Sequence, residues 1–142
     1  MDWPVTYRRK VRFSDSDAQG IVFNGNYLTY FDDVIADYFD AVGLPWDEFR
    51  AKGYDIVLGH VDIDFKSPGR IGTTLVTGAR VARVGTSSVT FDLRTWDEAT
   101  GDTVVEGKEV HVVVDHESLR PCPVPGFFVD AVTDLQGAAP AG

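Results

Sequence analysis

Two carboxylates, Asp15 and Asp17, stand in a polar stretch, Ser14 to Gln19, shortly before the small polar run Asn24-Gly25-Asn26. An ionised carboxylate next to a carbonyl can attack it or activate a water. The run at Asn24 opens a segment of helical period. A helix start leaves backbone N–H groups unpaired, here from about Phe23 to Asn26, and these can bond a developing oxyanion. The helix dipole also favours a negative charge at that end. The chemistry these residues could perform is therefore attack on an activated carbonyl. From spacing alone the aspartates also read as turn caps, a common use of Asp, and nothing separates the two.

The surrounding elements must hold that junction rigid. Val5 to Phe13 alternates, with Val5, Tyr7, Val11 and Phe13 on one face, and reads as a half-buried strand. Gly20 ends the polar stretch, where a backbone shape closed to other residues is useful. Tyr27, Leu28, Phe31, Val34, Ile35, Tyr38, Phe39 and Val42 then recur at three- and four-residue steps, an amphipathic helix. Asn24 is its expected N-cap and Gly43-Leu44-Pro45 its stop. Such a helix is roughly 27 Å long. Asp33, Asp37 and Asp40 fall on its watery side, and Asp32 on the edge of the apolar stripe.

A short helical piece at Trp46–Phe49 leads to four strand candidates: Ile56–Phe65, Thr73–Val84, Ser88–Trp96 and Thr103–Asp115. Gly78 is an expected bulge, and Val110, Val112 and Val114 form the apparent apolar line of the last strand. Residues from about 132 to 142 read as a frayed tail. Short links make neighbouring strands antiparallel. The expectation is a single α+β domain over residues 1–142, one helix on one five-stranded antiparallel sheet, self-associating as a homodimer or homotetramer to cover what one helix leaves open.

Composition narrows the function classes. A net charge of −9 disfavours nucleic acid as the partner, and no apolar run is long enough to span a bilayer. The segment Met1-Asp-Trp-Pro-Val lacks signal-peptide features, and the one cysteine, Cys122, cannot form an internal disulfide. A cytoplasmic setting is expected. His60, His111 and His116 lack metal-ligand spacing, so no metal is expected, and the tryptophans Trp3, Trp46 and Trp96 read as packing residues.

The run Phe13-Ser-Asp-Ser-Asp-Ala-Gln-Gly-Ile-Val-Phe-Asn-Gly-Asn-Tyr27, with Tyr30-Phe-Asp32 beyond it, resembles the signature of hotdog-fold thioesterases of the 4-hydroxybenzoyl-CoA thioesterase class. That signature reads Asp-x-Asp-x-x-Gly-x-Val, an Asn-Tyr pair, and an acidic residue one helical turn on. The resemblance extends through Gly43-Leu-Pro45, Asp62-Ile-Asp-Phe65 and Gly85-Thr-Ser-Ser88. It implies a hotdog fold, a long central helix wrapped by a five-stranded antiparallel sheet, with paired subunits sharing two active sites.

By matching position, the resemblance makes Asp17 the catalytic carboxylate, nucleophile or general base, and Asp15 an orienting residue. It makes Gly20 the loop-shaping glycine, the Asn24 amide the donor that polarises the thioester carbonyl, and Tyr27 a packing residue at the site. Phe23 lies at the same helix entry. Asp32 matches the acidic position that meets a ring hydroxyl in hydroxybenzoyl-specific members and is Glu in many acyl-CoA relatives. Around the turn that meets coenzyme A phosphates in the family, this chain has Arg83, Gly85 and Thr86, with Arg70 and Arg80 as further cations. That is fewer basic residues than the family often carries there. The implied activity is hydrolysis of an acyl-CoA thioester without a cofactor, coenzyme A being part of the substrate. An acyl-carrier-protein thioester, or acyl-CoA binding without catalysis, are the alternatives.

Overall fold

Strand alternation and helical stripe both become structure in a computed structural model that describes residues 2–142. Five strands, β1 Val5–Lys10, β2 Tyr54–Phe65, β3 Thr74–Val84, β4 Ser88–Asp97 and β5 Thr103–Asp115, form one sheet in the order β1-β3-β4-β5-β2. Every neighbouring pair is antiparallel. Helix α1, Asn26–Ala41, lies on one face of the sheet, followed by the short α2, Trp46–Ala51. A third helix, α3, Gly126–Gln136, follows the last strand. This is the hotdog arrangement.

The apolar stripe of α1 explains its place. Tyr27, Tyr30, Phe31, Val34, Ile35, Tyr38 and Phe39 are all buried against the odd-numbered side chains of the sheet, among them Leu75, Ala79, Phe91, Leu93, Val105 and Val113. Tyr38 meets Phe91 edge-on with ring centroids 5.5 Å apart. Phe39 stacks on Trp46 at 4.5 Å and meets Phe49 and Phe128, so α2 and α3 close the far end of the core. The opposite sheet face is polar, with Asp92 held by Arg80 and Lys108. Strand β2 is an edge, and Val57, Leu58, Val61 and Phe65 along it are exposed.

Several boundaries depart from expectation. β1 stops at Lys10; the chain turns at Val11 and Arg12 into a single 3₁₀ turn, Phe13–Asp15, which leaves Phe13 86% exposed instead of in the core. α1 begins at Asn26, and its N-cap position is Gly25, with no side-chain cap. Asn24 is therefore not the cap, and the helix of 16 residues is about 24 Å long. Gly78 pairs in regular register with Thr6 and Arg94. It is small because the Trp3 ring lies where a Cβ would stand; the register breaks fall at Leu58/His60, Val81/Arg83 and Thr95/Trp96. The tail is ordered too. α3 buries Phe128 and Val132, and the Gln136 side chain accepts from the Val81 N–H (2.8 Å) and the Tyr38 hydroxyl (2.6 Å).

Candidate active site

The polar stretch is folded by its own aspartates. Asp15 is buried, and its carboxylate accepts from Arg9 Nη2 (2.8 Å) and Nε (3.2 Å) and from the Arg12 N–H (2.8 Å). Burial pushes the Asp15 carboxyl up, but these charge-assisted bonds outweigh it and hold the pKa below the usual value. Its carbonyl accepts from the Phe23 N–H (2.9 Å) and from Asn26 Nδ2 (2.8 Å), tying the loop to the start of α1. Asp17 sits half-buried on the same loop; its Oδ1 accepts the Gln19 N–H at 2.8 Å, and its N–H donates to the Ile21 carbonyl at 2.9 Å. Gly20 has φ +76°, a conformation that favours glycine, and its carbonyl accepts from the Ile71 N–H at 3.2 Å.

The helix entry sharpens the oxyanion expectation. The Phe23, Asn26, Tyr27 and Leu28 amides are all taken, by Asp15, Phe23, Asn24 and Gly25 carbonyls respectively. Phe23 and Asn26 therefore drop out as donors, and Phe23 instead leaves its ring over Gly25, more than half exposed. Among the described residues the Asn24 and Gly25 N–H groups have no acceptor. Two adjacent free amides at a helix start are suited to a carbonyl oxygen on which negative charge develops.

Asn24 lines a cavity of about 370 Å³, between Ile21, Val22, Asn24 and Tyr27 on one side and Phe65–Pro68 on the other. Tyr27 is buried, and its hydroxyl accepts the Gly69 N–H at 3.3 Å. Burial first, then the Asp17 charge, raise its pKa despite the Gly69 contact. Tyr27 and Phe65 meet edge-on at 5.9 Å. The β2–β3 connection, Lys66 to Pro68, is a part of the site that the sequence did not mark. Lys66 lines the cavity with its ammonium 3.7 Å from Glu106, and Arg70 pairs with Ile21 in an isolated bridge.

Arg83, Gly85 and Thr86 are not gathered here. They stand at the end of β3, where the Ser87 carbonyl accepts from Val113, which pairs with Ile56 near the start of β2. The cavity lies by Phe65, toward the other end of that 12-residue strand, about 30 Å away along it. The Gly85 N–H is spent on the Ser88 carbonyl at 2.8 Å, so Gly85 offers no amide. Arg83 is exposed and its Nε donates to the Gly142 carbonyl at 3.1 Å.

Asp32 keeps one side in water while the sheet desolvates the other. That desolvation, ahead of the Glu109 charge and against the opposing influence of His111, raises its pKa. Glu109 and His111 are buried on the helix-facing side of β5, with Nε2 and Oε1 2.9 Å apart. The sequence reading favoured Val110, Val112 and Val114 as the inward line of this strand. The structure turns Val105, Glu109, His111 and Val113 toward α1, with the His111 ring edge-on to Phe91 at 5.7 Å. Among the described residues no group of three or more His, Cys, Asp or Glu side chains is placed to hold a metal ion. No helix is long and apolar enough to cross a membrane.

The sequence pattern of the thioesterase-like superfamily matches residues 11–132, most of the chain and all of the site just described. The chain belongs to the thioesterase-like superfamily. Within it, the chain is 37% identical over 65 residues to a protein of Aquifex aeolicus, covering 46% of this chain and 51% of that one. It is 26% identical over 116 residues to a chloroplastic acyl-acyl carrier protein thioesterase of Arabidopsis thaliana, covering 82% of this chain and 60% of that one. The chain thus spans about half to three fifths of these two curated relatives. A thioesterase of Thermus thermophilus, solved with coenzyme A and zinc, superposes with a TM-score of 0.81 at 27% identity, covering 95% of this chain and 96% of that one. As a member of the thioesterase-like superfamily, the chain carries the superfamily's hotdog fold from β1 to α3.

Proposed function

We propose that this thioesterase-like protein hydrolyses acyl-CoA thioesters to a free acid and coenzyme A, with Asp17 as nucleophile or general base. The observation that carries this reading is the pair of free amides at Asn24 and Gly25, at the helix start to which the Asp15–Asp17 loop is tied through the Asp15 carbonyl. The thioester carbonyl would accept from the Asn24 N–H while Asp17 attacks it or draws a proton from water. Water supplies hydroxyl to the acyl carbon, the C–S bond breaks, and the thiolate takes the proton. The protein would need no cofactor, since coenzyme A arrives as part of the substrate. Gly20 shapes the loop, and Phe23 and Tyr27 flank the entry.

Two copies complete the reading. The long, apolar, exposed β2 edge is a surface that a second β2 can cover. An antiparallel, two-fold pairing brings the Tyr54 end of one copy to the Phe65 end of the other. Arg83 and Thr86 of one copy would then approach the Asp17 loop of its neighbour, where Lys66 and Arg70 already add positive charge for phosphates. A tetramer could form from two such pairs.

The name of the Arabidopsis relative supports a second reading, an acyl-carrier-protein thioester, which would also suit the small number of cations around Arg83. The test is thiol release from aliphatic, aromatic and carrier-protein thioesters by wild type and Asp17→Asn. Turnover on CoA thioesters that falls at least about a hundredfold in the variant supports the proposal. Unchanged turnover removes Asp17 from its role, and binding of acyl-CoA without cleavage by wild type turns the protein into a carrier or sensor. Faster cleavage of carrier-protein thioesters selects the second reading.

A further inference from the structure

The four cations between Arg8 and Arg12 are of two kinds. Arg8 is spent on Glu98 and Arg9 on Asp15. Lys10 and Arg12 are exposed, and among the described residues neither is paired with a carboxylate; Arg70 is a third of this kind. In a chain of net charge −9, unpaired cations gathered in one place set up a local field opposite in sign to the rest.

The backbone gathers them. The Val11 N–H donates to the Thr73 carbonyl (2.8 Å) and the Val11 carbonyl accepts from the Gly72 N–H (2.9 Å), so the turn after β1 lies against the turn before β3. Thr73 closes the second turn on the Arg70 carbonyl, through its N–H at 3.2 Å and its hydroxyl at 2.7 Å. Lys10 pairs with Thr74 at the base of both. The two turns also carry exposed apolar side chains, Phe13 at 86% and Ile71 at 44%. The patch adjoins the candidate site: the Ile71 N–H donates to the Gly20 carbonyl at 3.2 Å, and Arg70 bridges to Ile21, which lines the cavity.

Apolar side chains on exposed turns, set among unpaired cations, suit a bilayer surface. Negative headgroups draw the cations, and the apolar side chains enter the boundary of the acyl layer. A folded acidic partner would have to offer an apolar recess for each of these side chains, whereas a bilayer gives way around them. We propose that Lys10, Arg12, Phe13, Arg70 and Ile71 dock the protein on anionic lipid bilayers and bring the adjoining cavity to acyl thioesters held in the same surface. The delivery of substrate rests on the thioesterase reading; the docking does not.

Flotation with lipid vesicles tests the docking without turnover. Wild type should bind vesicles of equal parts phosphatidylglycerol and phosphatidylcholine at least about tenfold more tightly than vesicles of phosphatidylcholine alone. The difference should fade as salt is raised. Phe13→Ser, and the double variant Lys10→Glu, Arg12→Glu, should each weaken binding to the mixed vesicles by about tenfold or more. The substituted side chains are exposed, so both variants keep the fold. Wild type that stays in solution or binds both kinds of vesicle alike overturns the proposal, as do variants that bind like wild type. Retention of wild type on polyglutamate but not on vesicles overturns it in favour of an acidic protein partner. A changed oligomeric state of Phe13→Ser in sedimentation overturns it in favour of a second copy. Absence of thioester cleavage by the wild type would sink the thioesterase reading alone, and the vesicles would still decide the docking.

Discussion

Arg9 and Asp15 face each other across the turn that carries the site, joined by two hydrogen bonds of 2.8 and 3.2 Å. Asp15 is the bracket of the loop: its carboxylate holds β1 and the 3₁₀ turn, and its carbonyl holds the entry to α1. Asp15→Asn should therefore cost stability, about 1–2 kcal/mol, since it removes the buried charge of a part-buried pair. Urea unfolding checks the size. Because the folded pKa lies below the ordinary one, the contribution is fully present above the unfolded carboxylate's pKa of about 3.9 and is lost as pH falls through the folded value. The stability gap between wild type and variant should narrow on acidification; a gap that stays constant from neutral pH to about 3 would remove the pair from this role.

Asp17 predicts the opposite pattern. It is half-exposed and bound only to its own turn through the Gln19 amide. Asp17→Asn should unfold within about 0.5 kcal/mol of wild type, the range of ordinary surface changes, while thioester turnover collapses. Paired melting curves and thiol-release rates for the Asp15 and Asp17 variants separate an orienting aspartate from a reacting one. If both variants lose stability and activity in parallel, the division of labour is wrong.

Tyr27 and Gly69 make a third contrast. The Tyr27 hydroxyl takes one long hydrogen bond from the Gly69 amide, so Tyr27→Phe should cost roughly 1 kcal/mol and leave kcat within about threefold. Gly69→Ala is harsher. A Cβ there would stand 2.9 Å from Leu75 Cδ1 and 3.1 Å from both the Tyr27 hydroxyl and Val22 Cγ2, two residues that line the cavity wall. Overpacking of this kind costs about 1–3 kcal/mol. Thermal melts rank the two, and a Gly69→Ala protein as stable as wild type would show that the wall yields easily.

What the sequence made legible followed from strong local signals. The stripe from Tyr27 to Phe39 could bury only as a helix, and alternation with short turns left antiparallel pairing as the natural arrangement. The two-aspartate loop and Gly20 were readable because turn chemistry is local. β5 was misread because valines occupy both of its faces: Val110, Val112 and Val114 look like a core line, yet Phe91 and Tyr38 decide that Glu109 and His111 point inward. No local pattern announces a buried Glu–His pair. Helix α3 was missed although Phe128, Ala131, Val132 and Leu135 recur at helical steps, because the Pro-rich run before it and the Ala- and Gly-rich residues after it read as a tail. Its anchor is one distant side chain, Gln136, bonded to both Val81 backbone groups and to the Tyr38 hydroxyl. Gln136→Ala should lower stability by about 1–2 kcal/mol, and protection of the Val81 amide in hydrogen exchange should drop with it.

The separation of Arg83 and Thr86 from Asp17 along one protomer gives the most discriminating prediction of assembly. If each site joins the Asp17 loop of one copy to the β3–β4 turn of the other, Asp17→Asn homodimers and Arg83→Glu homodimers should both be weak. Arg83 would act at the thiol-carrier end, so its variant should fail mainly through KM. Mixing the two after mild dissociation makes heterodimers in which one site carries both substitutions and the other carries neither. With random exchange, activity should recover to roughly a quarter of wild type. Sites formed within a single copy would show no recovery, because every Asp17 loop would stay with its own turn. Val61→Lys tests the surface itself: a charge in the middle of the β2 edge should shift the protein toward monomer in sedimentation and lower turnover with it.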